Sequence, residues 1–86
     1  HTGQYAESSS ADKNIYLNEL SLASNHANNL SLIVNAGHGL DYTNVTDIAK
    51  INHISELNIG HSIIAESIFL GLSDAIKKMK NLIESV

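Results

Sequence analysis

Apolar residues recur along this chain in two rhythms. Tyr16, Leu20, Ala23, Ala27 and Leu30 fall at intervals of three and four, the spacing of one helix face. A helix is predicted over residues 11–28, with the polar run Glu7-Ser8-Ser9-Ser10 offering caps ahead of it. Asn28-Asn29 can close it, because asparagine tolerates the left-handed backbone. The rhythm then changes: residues 30–35, Leu-Ser-Leu-Ile-Val-Asn, are apolar at almost every position, the pattern of a buried strand in a parallel sheet.

A short second helix follows, capped by Asn44, with Asp47 in its first turn and Val45, Ile48 and Ala49 as its buried stripe. It is expected to end near residues 50–52. Residues 55–59 read as the next strand, with Glu56 and Asn58 on one face and Leu57 and Ile59 on the other. Ser62 is placed to cap a short apolar helix carrying Ile63, Ile64, Ser67 and Ile68, which Gly71 interrupts. Ser73-Asp74 then caps a final amphipathic helix whose apolar positions are Ile76, Met79, Leu82 and Ile83.

Strands separated by helices imply parallel pairing through crossovers, which fits a doubly wound sheet or a (β/α)8 barrel. The extra short helix after the second strand favours the barrel, where the loops after strands seven and eight and the N-terminus of a short added helix often hold phosphate. Two strands cannot close a barrel, and they would leave sheet edges unpaired. The expected fold class is therefore α/β, as the C-terminal part of a (β/α)8 TIM barrel. Residues 1–86 would form one segment of a single domain, with strands seven and eight, their helices, and His1-Thr2-Gly3 as the end of strand six.

At 86 residues the chain suffices for one small domain, and a domain of that size buries only about 60 to 65% of its unfolded surface. A hydrophobic fraction of 43% and a charged fraction of 16% are those of a globular chain rather than a disordered one. No apolar run approaches the roughly 18 residues of a membrane span, and the N-terminal residues lack the basic start and apolar centre of a signal peptide. A net charge of -4 argues against a nucleic-acid surface. Lys77, Lys78 and Lys80 on the last helix read as a solvated face. The absence of cysteine removes disulfides and thiolate metal sites and fits a reducing cytoplasm, the expected location.

The candidate chemistry lies in two glycine-histidine elbows that follow the two strands: Asn35-Ala36-Gly37-His38-Gly39-Leu40 and Asn58-Ile59-Gly60-His61-Ser62. In the second, the amides of Gly60, His61 and Ser62 open a helix and converge as donors for a phosphate without a cationic side chain. Glycine at 60 lets backbone and ligand approach closely. A bare strand-to-helix turn is the alternative. In the first, His38 stands between two glycines, and an imidazole at a strand end suits a general acid or base. The competing reading is a histidine that orders its own loop by hydrogen bonds to the backbone. Asn35 and Asn58 read as polar plugs rather than ligand contacts.

His38 and His61 lack a local third ligand, so no metal site is expected. His26 and His53 read as surface residues. There is no Gly-x-Ser-x-Gly elbow for a serine triad.

The run Val34-Asn35-Ala36-Gly37-His38-Gly39-Leu40, Tyr42, Asn44-Val45, Glu56-Leu57-Asn58-Ile59-Gly60-His61 and Gly71-Leu72 resembles the C-terminal part of the pyridoxine 5'-phosphate synthase family. His1-Thr2-Gly3 with Tyr5-Ala6 is similar to that family's strand-six end. The resemblance implies a (β/α)8 barrel that condenses 3-amino-2-oxopropyl phosphate with 1-deoxy-D-xylulose 5-phosphate. The products are pyridoxine 5'-phosphate, inorganic phosphate and water, and the enzyme assembles as a homo-octamer without a cofactor. It also implies that His38 is the proton donor, that Gly39 contacts the amino-ketone phosphate, and that Gly60 and His61 bind its phosphate. The family's early histidine, arginines and glutamates are not in this chain. On this reading the segment needs the missing N-terminal part of the same barrel and is inactive alone. The alternatives are another phosphate-binding barrel enzyme and a non-catalytic half-barrel that binds a ligand or partner.

Overall fold

The computed structural model describes residues 1–86. Its elements run α1 (Gly3–Glu7), α2 (Lys13–Asn29), β1 (Val34–Gly37), α3 (Val45–Ala49), β2 (Ile54–Asn58), α4 (His61–Leu70) and α5 (Leu72–Glu84). The chain is α/β, with β1 and β2 paired in parallel across the α3 crossover. No helix is long and apolar enough to cross a membrane.

The register sets Asn35 opposite Glu56, Ala36 opposite Leu57 and Gly37 opposite Asn58, with an irregularity between Val34 and Asn35. Because strand side chains alternate, Ala36 and Leu57 share one face and Asn35, Glu56 and Asn58 the other. The first face is packed. Ala36 joins Tyr5, Leu40 and Ile48 in the core, against which Tyr16, Leu17, Leu20, Leu57 and Ile59 are partly buried. The second face is open, with Asn35, Glu56 and Asn58 all exposed.

The strand expected at 30–35 begins only at Val34. The close of α2 takes the amides before it: Leu30 N bonds Ala27 O at 3.1 Å, Ser31 N bonds Asn28 O at 2.9 Å, and Leu32 N returns to Ala27 O at 3.0 Å. Backbone committed to a helix end cannot enter a sheet ladder. The left-handed residue at this closure is Ser31, at φ 61°, not an asparagine. Nor are these residues buried, and Ile33 is 82% exposed.

Two further expectations change. Gly3, expected to end a strand, and residues 4–7, expected to precede the first helix, instead form α1, where the Tyr5 side chain is 1% exposed and its hydroxyl donates to Asn44 O at 2.6 Å. That anchor lies 39 residues away in sequence, beyond the reach of local pattern. On α5 the buried residues are Ala75 and Met79, and Ile76 is exposed. α4 buries no residue at all, leaving Ile64, Ile68 and Phe69 exposed. On α3, Val45 and Ile48 of the expected stripe are fully buried and Ala49 only partly, Asp47 lies in the first turn as expected, and Gly71, at φ 80°, breaks the chain between α4 and α5.

Candidate functional site

Both elbows open into one cleft of about 530 Å³ at the C-terminal ends of β1 and β2. His38 and Gly39 line it from the first elbow, and Gly60 and His61 from the second. The four residues singled out from sequence therefore lie together.

Parallel pairing brings them there. Gly37 sits opposite Asn58, and a Cβ on Gly37 would lie 2.8 Å from Asn58 O and 2.9 Å from Asn58 Cβ. Only a glycine lets the strands approach this closely where the elbows begin. Beyond it, His38 has φ 95° and Gly39 φ 73°. For a histidine this is an uncommon conformation that its surroundings must hold in place.

The surroundings do so through three successive carbonyls. The Thr2 hydroxyl donates to His38 O at 2.7 Å, Asn44 Nδ2 to Gly39 O at 3.1 Å, and the Ser62 hydroxyl to Leu40 O at 2.7 Å. Three separate segments thus fix the first elbow. The donors Thr2 and Asn44 are themselves buried. The His38 ring stacks on the His1 ring, with centroids 4.6 Å apart, and does not order its loop by bonding to it.

At the second elbow the helix starts two residues earlier than expected, at His61 instead of after a Ser62 cap. Gly60 occupies the cap position of α4, and no side chain caps the helix. Ser62 lies inside the first turn, and its hydroxyl is turned to Leu40 instead of to the helix amides. The first backbone bond of the helix runs from Ile64 N to Gly60 O, so the amides ahead of it have no helical acceptor. They form the positive end of the helix dipole.

Gly60 differs from Gly37. A Cβ added there would meet nothing within 4 Å, so the packing of this chain does not require glycine at 60. It faces space that a ligand can use.

Two residues of the cleft were not assigned chemistry from sequence: Asp41 was passed over, and Asn58 was read as a plug. Partial burial alone would raise the Asp41 pKa. Hydrogen bonds from the Thr43 hydroxyl and the amides of Thr43 and Asn44, with the charge of Lys13, outweigh it and hold the carboxyl below its ordinary value. Asn44 Oδ1 accepts from Asp41 N at 2.8 Å in return, which closes the turn into α3. Burial, followed by the charges of Asp47 and Asp41, pushes the Tyr5 hydroxyl up. His26 and His53 are exposed away from the cleft.

Residues 1–85 match the family model described as "Pyridoxal phosphate biosynthesis protein PdxJ". The chain belongs to the PdxJ family. A pyridoxine 5'-phosphate synthase of Prochlorococcus marinus (strain MIT 9312) is 49% identical over 85 residues, covering 99% of this chain and 36% of that relative. One from Sulfurihydrogenibium sp. (strain YO3AOP1) is 52% identical over 83 residues, covering 96% of this chain and 34% of its own length. The chain spans about a third of the length of the curated PdxJ relatives it matches. Both elbows lie inside the matched PdxJ segment.

Proposed function

We propose that this PdxJ segment carries the phosphate-binding and proton-donating end of a pyridoxine 5'-phosphate synthase. In that protein, 3-amino-2-oxopropyl phosphate condenses with 1-deoxy-D-xylulose 5-phosphate to give pyridoxine 5'-phosphate, inorganic phosphate and water. The observation that carries the reading is the convergence of both elbows on one cleft beside the uncapped first turn of α4. The substrate phosphate sits at Gly60 and His61, where free amides and the helix dipole attract an anion. Gly39 contacts the same substrate, and His38 donates the proton, as an imidazole can near neutral pH.

The longer protein is a (β/α)8 barrel in which β1 and β2 are strands seven and eight and His1-Thr2, just ahead of α1, ends strand six. Two features support this. Thr2 N donates to Gly37 O at 2.9 Å, as in one rung of a ladder beside β1. The open sheet face of Asn35, Glu56 and Asn58 needs cover, because parallel sheets are buried on both faces. The preceding part of the barrel supplies that cover and the remaining catalytic groups. The complete enzyme works as a cytoplasmic homo-octamer on phosphorylated small molecules, with no nucleic-acid or membrane partner.

The test is an assay of the complete protein with the two substrates, following pyridoxine 5'-phosphate and released phosphate. Formation of both in equal amounts is expected. Binding of the amino-ketone phosphate without condensation would point to a different phosphate-handling barrel or a non-catalytic binding module.

A further inference from the structure

The three residues of His1-Thr2-Gly3 meet His38 at three different places. The His1 ring stacks on the imidazole face, its plane inclined by 25°. The Thr2 hydroxyl holds the His38 carbonyl at 2.7 Å. At Gly3 a Cβ would lie 2.9 Å from His38 Cδ2 and 2.6 Å from His1 Cε1, so only a glycine leaves both rings where they stand. Gly3 N also donates to His1 Nδ1 at 3.2 Å, which ties the stacked ring back to the segment.

These contacts exceed what a chain connection requires. The backbone bonds from Thr2 N to Gly37 O and from Ala6 N to Thr2 O already fix the course of the main chain. The ring stack and the hydroxyl act on His38, and the missing Cβ leaves room for both stacked rings. Thr2 is 1% exposed and Gly3 is buried, so the clamp is held from beneath by packed residues, while the stacked rings of His1 and His38 lie exposed at the cleft. The contacts also surround a residue whose φ of 95° is rarely adopted without such support.

We propose that His1-Thr2-Gly3 is a clamp that sets the orientation of the His38 imidazole in the cleft, making these three positioning residues for proton transfer at His38. The proposal rests on the reading of His38 as the proton donor. It assigns the segment a role apart from its place at a strand end.

The test uses the complete protein. Thr2→Val, which removes the hydroxyl and little else, and Gly3→Ala are made singly and again in a His38→Ala background, with Thr2→Ser as the conservative variant. Each single change is expected to lower kcat by about ten- to a hundredfold, the scale of a roughly 1 Å misplacement of a reacting group. KM for the amino-ketone phosphate is expected to change by less than about threefold, since phosphate binding lies at the other elbow. Thr2→Ser restores kcat. In the His38→Ala background the same changes cost nothing further, as for residues that act through one group.

An unchanged kcat in Thr2→Val, or a loss that persists in full without His38, overturns the clamp. Wild-type turnover in His38→Ala overturns the proton-donor reading instead. A readout independent of turnover is the His38 ring resonances in the labelled complete protein. Thr2→Val and His1→Ala are expected to shift them and leave those of His53 in place, and unmoved His38 resonances overturn the clamp whatever the kinetics.

Discussion

Ser62 reaches from the first turn of α4 to the carbonyl of Leu40 at 2.7 Å, joining the two elbows that line the cleft. The bond spans 22 residues and is the one side-chain hydrogen bond between the elbows. A partly buried bond of this kind contributes about 0.5–1.5 kcal/mol. Ser62→Ala in the complete protein is expected to lower the unfolding free energy by that amount and to weaken amino-ketone phosphate binding, because α4 is then less firmly set against the first elbow. Paired denaturation and binding titrations check it. Affinity unchanged despite lost stability would separate the bond from the site.

Tyr5 anchors α1 through its hydroxyl to Asn44 O, and Asn44 in turn holds Gly39 O. Tyr5→Phe leaves a buried carbonyl unpaired, at a cost of about 1–3 kcal/mol. The alkaline behaviour follows from the same contact. Burial first, then Asp47 and Asp41, raises the folded-state pKa above the ordinary 10.0. The neutral hydroxyl therefore stabilises the fold fully below about pH 10, and that stability is lost as pH rises through the folded value. Denaturation midpoints measured above pH 10 are expected to fall more steeply for the native protein than for Tyr5→Phe.

Asp41 gives the opposite sign. Its folded pKa is lowered because the hydrogen bonds from Thr43 and Asn44, with Lys13, overcome the effect of burial. Its stabilisation is present above the unfolded value near pH 4 and is lost as pH falls through the folded value. Asp41→Asn is expected to flatten the acid limb of the stability profile. Carbonyl-detected titration of the Asp41 carboxyl checks the direction of the shift.

The glycines at 37 and 60 predict opposite outcomes. Gly37→Ala drives a methyl to 2.8 Å from Asn58 backbone oxygen. Overpacking of this order costs about 1–3 kcal/mol, and here it pries apart the strand ends that carry both elbows. Gly60→Ala meets nothing within 4 Å, so its stability is expected to stay within about 0.5 kcal/mol of native. Thermal unfolding of the two variants side by side distinguishes them.

Much of the site was legible because its signals are local. A glycine on either side of His38, and Gly60 ahead of a helix, mark turns from a few residues each. Parallel pairing then brings the turns together without further information. What could not be read depends on partners far along the chain. α1 exists around Tyr5, whose hydrogen-bond partner lies in the turn before α3, and the stack of His1 on His38 joins residues that α1 and α2 separate in sequence. The late start of β1 had a different cause. Leu30, Leu32 and Ile33 carry the apolar pattern of a strand, but the closing turn of α2 takes the amides of Leu30 and Leu32 first. Ser62 was read as a cap because serine usually serves as one, whereas the Leu40 carbonyl claims its hydroxyl.

The division of labour between the elbows is the centre of the account, and one titration addresses it directly. The amino-ketone phosphate is titrated calorimetrically into the complete protein and its Gly60→Leu and His38→Ala variants, with turnover measured alongside. Gly60→Leu is expected to lose at least about tenfold in affinity, because the side chain fills the approach to the α4 amides and not any space this chain occupies. His38→Ala is expected to bind within about threefold of native and to turn over about a hundredfold more slowly or worse, as the loss of a general acid does. Native affinity in Gly60→Leu, or native turnover in His38→Ala, would contradict it.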